Sequence, residues 1–189
     1  MEKWMKDYIG NLNQTLTKLP FDKINGIIKL FIKANREGKQ IFAFGNGGSA
    51  STASHFITDL GKGASDKTKR RFRCLSLNES SSWMTALGND YAFEDVYLRQ
   101  LQNFANAGDL VITWSVSGSS PNLVKAFEWA NKNGMETIAI IGGKKGKLAD
   151  IAKHVIVIDS LHYGVAEDSQ MIIAHMLAYA FMENPQIAD

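Results

Sequence analysis

Two stretches rich in glycine and serine contain the residues best suited to bind a phosphate group. Residues 45–51 follow the apolar run 41–44, and residues 114–122 overlap the end of the apolar run 110–114. Glycines let backbone N–H groups approach an anion, serine hydroxyls donate hydrogen bonds to it, and the start of a helix favours negative charge. Each stretch alone is also typical of a tight turn with a serine at a helix start. Together they predict a phosphate site at the ends of two neighbouring strands.

The composition of the two stretches narrows the chemistry. The second supplies four hydroxyls, followed by Pro121, which suits a first helical turn; the hydroxyls belong to Ser115, Ser117, Ser119 and Ser120. The first is not a nucleotide fingerprint, because it lacks both the third glycine of a dinucleotide-binding motif and the lysine of a P-loop. A small phosphorylated ligand fits this pattern better than a nucleotide.

Two pairs of polar residues sit at helical spacing. His55 and Asp59 are four residues apart, so they share one face of the helix that the first stretch opens. Such a pair can share a metal ion or act as acid and base, although a surface ion pair has the same spacing. Glu167 and Gln170 share a face near the start of the last predicted helix, where an acidic residue can also serve only the helix dipole.

The elements that must position these residues alternate along the chain. Short apolar runs alternate with amphipathic segments, which predicts a parallel sheet with helices on both faces. The predicted strands are 41–44, 72–77, 110–114, 137–141 and 155–158. The predicted helices after the first strand are 49–60, 82–87, 93–105, 121–131, 148–152 and 165–182.

Two amphipathic segments precede the first predicted strand. They are separated by Pro20 and end near Gly38, so we expect an antiparallel helical hairpin over residues 1–38. Its apolar stripe needs a cover, and a neighbouring subunit is one candidate. No linker or long repeat interrupts the rest, so we expect one domain over 1–189, with the α/β core at 39–189.

Composition excludes several classes of protein. A net charge of +2 is too small to make nucleic acid the main partner, and we interpret the basic cluster at 67–73 as a solvated loop. The single cysteine, Cys74, lies in an apolar run and is expected to be a small core residue. The sequence shows no signal-peptide pattern and no membrane-length apolar run, so we expect a cytoplasmic protein without a membrane partner.

Taken together, these motifs resemble the sugar isomerase (SIS) domain family, and within it the phosphoheptose isomerase branch. The resemblance covers nearly the whole chain and rests on the combination of motifs rather than on any one of them. They are the two leading helices, residues 45–49, His55-Phe56 with Asp59, Gly88-Asn89-Asp90, Gly108-Asp109, residues 115–120 and the helix that carries Glu167 and Gln170.

The resemblance implies a fold, an assembly and a reaction. It implies a three-layer α/β/α protein with a five-stranded parallel sheet of flavodoxin-like order, assembled as a homotetramer with sites between subunits. It implies interconversion of sedoheptulose 7-phosphate and an aldoheptose 7-phosphate. Ser115, Ser117 and Ser120 would hold the phosphate, while the first loop, with Asn46, Gly47 and Ser49, would contact the sugar.

The same resemblance implies the remaining site residues. Asn89 and Asp90 would lie beside the open-chain sugar, and His55, Asp59 and Gln170 would bind a divalent metal such as zinc. Two positions depart from the family pattern. The carboxylate after the histidine is the shorter Asp59 instead of glutamate, and Ala178 stands where we place the family's histidine, two turns beyond the glutamine.

These departures leave two hypotheses open. In the first, the chain is an enzyme that works through a cis-enediol, with Asp59 as base and with His55 and Gln170 beside it; in the second, it is a phosphosugar-binding or protein-assembly relative without turnover. His175 is not expected to replace the missing histidine, because five residues of helix rotate it about 140° away from Gln170. His162 and Tyr163 are then the candidates for the acid, and metal affinity is expected to be low.

Overall fold

The structure is a computed structural model that describes residues 1–188. Within these residues the strands form one five-stranded parallel sheet in the order β2-β1-β3-β4-β5. The strands are β1 (Gln40–Gly45), β2 (Arg73–Ser76), β3 (Leu110–Ser115), β4 (Glu136–Ile141) and β5 (His154–Val157). The predicted parallel sheet of flavodoxin-like order is confirmed.

Helices cover both faces of the sheet. They are α1 (Glu2–Thr17), α2 (Phe21–Arg36), α3 (Gly48–Thr58), α4 (Ser81–Asp90), α5 (Leu98–Phe104), α6 (Pro121–Lys132), α7 (Leu148–Ile151) and α8 (Tyr163–Glu183). Successive residues of β1 point to opposite faces: Ile41 and Ala43 join the core beneath α2, α3 and α8, while Phe42 and Phe44 join the core beneath α4 to α7. This two-sided burial explains why the strands read as continuous apolar runs.

A buried aspartate aligns the two central strands at their amino ends. Asp109 accepts hydrogen bonds from the backbone N–H of Gln40, at 2.9 Å, and from that of Asn106, at 2.8 Å. It therefore ties the start of β1 to the loop before β3. The Gly108-Asp109 motif is thus structural and lies at the edge of the sheet opposite the predicted phosphate loops.

The two leading helices, which are joined by residues 18–20, both contact α8. The helix α1 packs more extensively on α8 than on α2, whereas α2 lies across β1, β5 and α8. The apolar stripe of α1 stays largely uncovered, with Trp4 and Ile9 each 57% exposed. Amphipathic periodicity gives the burial face of each helix but not the element that covers it.

Two further expectations change in detail. The predicted helix 93–105 is a 3₁₀ turn (Phe93–Asp95) followed by α5. In the basic cluster, Arg70 and Arg73 donate hydrogen bonds to the carbonyl oxygens of Arg36 and Gly38 at the end of α2. Part of the cluster therefore stabilises a helix terminus instead of being only solvated.

Two sequence-based expectations concern Cys74 and the membrane. Burial raises the pKa of the Cys74 thiol to about 12, which fits a packing residue and not a nucleophile. None of the helices within residues 1–188 combines the length and the apolar character needed to cross a bilayer.

Candidate active site

The strand order creates a crevice at the carboxyl ends of β1 and β3. The chain leaves β1 toward β2 on one side of the sheet and later returns to form β3 on the other side, so the loops after these two neighbouring strands diverge. Ligands of open α/β sheets bind at such a point. Both stretches predicted to bind phosphate lie here: one joins β1 to α3, and the other joins β3 to α6.

A reciprocal pair of amides joins the two loops. Asn46 Nδ2 donates to Asn122 Oδ1, and Asn122 Nδ2 donates to Asn46 Oδ1, each at 2.9 Å. Asn46 was predicted to contact the sugar, and it does line the crevice. Its side-chain amide, however, is largely occupied by Asn122, so its main role in this structure is to hold the loops together.

A buried tyrosine fixes the first loop from below. Tyr97 donates its hydroxyl hydrogen to the Gly45 carbonyl oxygen, and Asn78 Nδ2 donates to Tyr97 Oη at 2.8 Å. Asn78 Oδ1 also accepts from the Gly45 N–H at 3.2 Å. Burial raises the pKa of Tyr97 to about 12, so the phenol stays protonated and remains a donor at physiological pH.

The crevice contains a small polar cavity of about 120 Å³. Of the four predicted serines, Ser115, Ser117 and Ser120 line it, whereas Ser119 is exposed and does not. Ser115 Oγ accepts from the Gly118 N–H at 3.0 Å, which shapes the loop. The remaining side chains around the cavity are those of Asn46, Ser49, Trp114, Val116, Tyr163 and Glu167.

Glycines let the serine loop pack directly on the loop after β4. Gly118 has φ +65°, and a Cβ there would lie 1.8 Å from the Lys145 carbonyl oxygen. Gly146, with φ +62°, faces the same loop, and a Cβ there would lie 2.3 Å from Ser119 Oγ. The position of the serines therefore depends on two backbones that touch without side chains between them.

A cluster of ligand-type side chains lies at the far end of α3. His55 is on α3, and Asp59 begins the π-helix (Asp59–Ala64) that continues it. His175, on α8, has its Nε2 3.0 Å from His55 Nε2 and 3.8 Å from Asp59 Oδ2. His55 Nε2 lies 3.3 Å from the same carboxylate oxygen. The predicted proximity of His55 and Asp59 is present, and His175 completes the cluster.

These distances match a metal site. Ligand atoms around a tetrahedral zinc ion at bonds of 2.0–2.1 Å lie roughly 3.3 Å apart, and the three separations scatter around that value. Two imidazoles and a carboxylate form a ligand set typical of catalytic zinc, which leaves one position for water or substrate. The residues fit a divalent cation without rearrangement.

Gln170, which the family resemblance made a metal ligand, has protein groups at both ends of its amide. Gln170 is fully buried, its Oε1 accepts from Ser49 Oγ at 2.8 Å, and its Nε2 faces the Ile140 carbonyl oxygen at 3.5 Å. Both ends of the amide are thus occupied by protein groups. Ser49 was predicted to contact the sugar, and it lines the cavity. Its hydroxyl hydrogen, however, is donated to Gln170.

The exclusion of His175 was wrong for a related reason. The rotation of about 140° between Gln170 and His175 is sound, but it is His175 that lies beside His55 and Asp59. Ala178, where a histidine was expected, is fully buried in the core. When the two-turn spacing is counted back from His175, it reaches Glu167, a carboxylate that does line the cavity. Glu167 was already singled out from the sequence, so His175 is the residue that the sequence reasoning missed.

Other predicted site residues lie elsewhere in the chain. Asn89 and Asp90 are exposed at the end of α4 and pair with each other at 2.9 Å, outside the cavity lining. His162 caps α8, with Nδ1 accepting from the Val165 N–H at 3.3 Å, which leaves Tyr163 as the member of that pair that lines the cavity. Gly47 has φ +56° and lines a separate groove of about 850 Å³ that runs along α3 to His55.

The sheet order defines a doubly wound α/β protein, with a candidate small-ligand site between the loops at its switch point. The family model for the SIS domain matches residues 5–142, and the chain belongs to this family.

Curated relatives narrow the branch. The chain is 34% identical to a probable phosphoheptose isomerase of Thermoplasma volcanium over 92% of its own length and 88% of that protein. It is 33% identical to the phosphoheptose isomerase of Sulfurimonas denitrificans, over 94% and 93% of the two chains. The solved phosphoheptose isomerase of Neisseria gonorrhoeae has the same fold, with a TM-score of 0.87, 24% identity and 96% coverage of both chains.

The contact between the serine loop and the loop after β4 predicts the effect of one substitution. Gly118→Ala should lower the free energy of unfolding by about 2 kcal/mol or more, because the new Cβ collides with a backbone carbonyl at a positive φ. Gly26→Ala is the matched control, because Gly26 is at an exposed position of α2 where a Cβ meets nothing within 4 Å. This substitution should raise the free energy of unfolding by up to about 1 kcal/mol. Chemical denaturation measures both, and a neutral Gly118→Ala would contradict this description of the loop.

Proposed function

We propose that the chain is an aldose–ketose isomerase of phosphorylated sugars, acting on sedoheptulose 7-phosphate and its aldoheptose 7-phosphate. The observation that carries the proposal is the coexistence of a serine-lined cavity at the strand ends with a histidine–aspartate cluster on the same two helices. The first suits a phosphate, and the second suits proton transfer beside a carbonyl.

The spacing of the two groups supports a long sugar. Gly48 and His55 are seven residues apart on α3, and Glu167 and His175 are eight apart on α8, so the cavity and the cluster are separated by roughly 11 Å along the helices. Extended chains advance by roughly 1.2 Å per bond. The phosphorus and C1 of a seven-carbon 7-phosphate are separated by eight bonds and are thus roughly 10 Å apart, against roughly 7 Å over six bonds for a five-carbon 5-phosphate. The longer substrate fits better.

The roles of the cluster follow from its geometry. Isomerisation moves a proton between adjacent carbons and another between the two oxygens, which needs a base and an acid. Asp59 turns Oδ2 toward both histidines, which leaves Oδ1 to accept the carbon-bound proton. His175 is the candidate acid, in place of His162 or Tyr163, and because its Nε2 faces the cluster the proton would come from Nδ1. A divalent ion held by His55, Asp59 and His175 would supply polarisation of the sugar oxygens.

A non-catalytic phosphosugar-binding protein was the alternative suggested by Ala178. The basis for that alternative was the missing histidine of the site. Since His175 lies beside His55 and Asp59, the alanine at position 178 no longer favours a non-catalytic protein.

A cytoplasmic location remains a prediction from the sequence.

Turnover tests the proposed reaction. Purified protein incubated with zinc should interconvert sedoheptulose 7-phosphate and the aldoheptose phosphate faster than it isomerises five- or six-carbon ketose phosphates, as followed by NMR. Asp59→Asn should reduce kcat by about 10²-fold or more, because the base is lost. The exposed Asp150→Asn is the control and should leave kcat unchanged. Binding of the sugar phosphates without turnover of any of them would reject the isomerase.

Metal content tests the proposed ligands. After dialysis against zinc, the protein should retain about one ion per chain by elemental analysis. His175→Ala should weaken zinc affinity by about 100-fold or more, because one of three ligands is lost. His154→Ala is the matched control, since His154 pairs with Glu136 at the opposite edge of the sheet. Equal zinc affinity in the two variants would contradict the assignment.

We propose in addition that the chain assembles as a homotetramer. The uncovered apolar side chains of α1 support this, as does the cluster itself, in which the side chains of His55 and His175 are 47% and 43% exposed. Exposed apolar surface of this kind is typical of subunit interfaces. A second copy on this side would also reduce the access of water to the cluster.

Light scattering at micromolar concentration should therefore give about four times the chain mass of 20.9 kDa. The double substitution Trp4→Glu and Ile9→Glu should lower this mass, because it places charges in the apolar stripe. Lys3→Glu on the same helix should not, since Lys3 is exposed and pairs only with Asp7 among the residues described. A monomeric unmodified protein would refute the assembly.

A further inference from the structure

The proposed phosphate cavity is too small for a whole sugar phosphate. Its volume is about 120 Å³, whereas pockets that enclose a complete small molecule usually measure about 300–1,000 Å³. The cavity therefore suits a phosphate group and its nearest atoms. The rest of a seven-carbon chain lies outside it, on the way to the cluster of His55, Asp59 and His175.

The chain cannot pass between α3 and α8. The two helices are in direct contact at Ser49 and Gln170, whose side chains are joined by a hydrogen bond of 2.8 Å. Gln170 is fully buried, and further along α3 Thr52 and Phe56 are also buried. A ligand that spans the cavity and the cluster therefore runs over the outer side of one of these helices.

The groove of about 850 Å³ along α3 offers such a route. It begins at Gly47, in the loop between β1 and α3, and reaches His55 in the cluster, so it includes a residue from each end of the proposed site. A second groove, of about 430 Å³ along α8, also reaches the cluster, at His175, but contains no residue of either loop. Of these two grooves, only the one along α3 joins the two ends.

Polar groups without protein partners line the groove along α3 between its ends. Ser51 lies one turn before His55 on the same face of the helix, and Glu79, between β2 and α4, lines the groove as well. Within residues 1–188, neither the Ser51 hydroxyl nor the Glu79 carboxylate has a hydrogen-bond or ion-pair partner. A serine hydroxyl can donate and accept, and a carboxylate accepts, so the two suit a chain of hydroxyl groups.

We propose that the groove along α3 holds the carbon chain of the sugar phosphate, and that Ser51 and Glu79 are specificity-determining residues that bind its hydroxyls. The inference rests on the proposed function, because it takes the cavity and the cluster as the two ends of the substrate. It assigns recognition of the chain to residues that belong to neither end.

A side chain that fills the groove tests this route. Ser51 is exposed on α3, so Ser51→Trp should be compatible with folding. It should weaken the calorimetric affinity for sedoheptulose 7-phosphate about tenfold or more, because the chain loses its path. Affinity for inorganic phosphate should stay within about twofold, since this probe needs only the cavity. Zinc should still bind at about one ion per chain.

A second variant removes the polar groups without adding bulk. The double substitution Ser51→Ala and Glu79→Ala should weaken the affinity for sedoheptulose 7-phosphate about tenfold, because it removes two hydrogen bonds to the chain. Affinity for inorganic phosphate should again stay within about twofold. This variant separates the loss of recognition from any effect of the added ring on folding or assembly.

Two control variants place the same ring elsewhere. Ile172→Trp fills the groove along α8, and Glu128→Trp lies at an exposed position of α6, on the other face of the sheet. Both should leave the affinity for sedoheptulose 7-phosphate within about twofold of the unmodified protein. A loss in Ile172→Trp without a loss in Ser51→Trp would place the chain on α8 and overturn the inference.

The remaining outcomes separate this inference from the proposed function. Unchanged affinity for the sugar phosphate in Ser51→Trp or in the double variant would overturn the inference, while turnover by the unmodified protein would leave the proposed reaction intact. If the unmodified protein binds the sugar phosphate without isomerising it, the proposed activity fails, and the same affinities still decide the role of the groove. A protein that does not bind the sugar phosphate would refute both.

Discussion

The contact between α3 and α8 is the interaction on which the candidate site depends. Three pairs of residues meet along it: Gly48 with Glu167 at the cavity, Ser49 with Gln170 one step further, and His55 with His175 at the cluster. The middle pair is joined by a buried hydrogen bond. Breaking it would leave an unpaired polar group in the core, which is destabilising. It therefore sets the register of the two helices, and the register aligns both ends of the site.

Much of the architecture could be predicted because its cause is local. Short apolar runs such as 41–44 and 110–114 are buried on both faces, and in a chain of this length that pattern has few solutions other than a parallel sheet. The two polar loops could be predicted for the same reason, because each is rich in glycine and serine and comes at the end of such an apolar run. The pairing of His55 with Asp59 needed only the pitch of one helix.

The remaining parts of the site could not be predicted, because they depend on how separate elements are rotated against each other. Helical spacing relates Gln170 to His175 but does not say which of them faces α3, and a rotation of one residue changes the direction of a side chain by about 100°. Gln170 was assigned as a ligand by the family resemblance, and its side chain is fully buried. The contact of α1 with α8 could not be predicted on similar grounds, since an amphipathic stripe does not specify the element that covers it.

The close contact between the serine loop and the loop after β4 limits how the molecule can evolve. It is made at Gly118 in the first loop and at Lys145 and Gly146 in the second. A Cβ at Gly118 would meet the Lys145 carbonyl oxygen and one at Gly146 would meet Ser119 Oγ, so neither glycine can be replaced unless the other loop moves away. Residues 115–120 and 142–147 are therefore expected to change together in evolution, although a helix and a strand separate them in the sequence. New ligand preferences should arise through residues that reach the cavity from other elements, such as those at the start of α8, while this pair of loops is retained together.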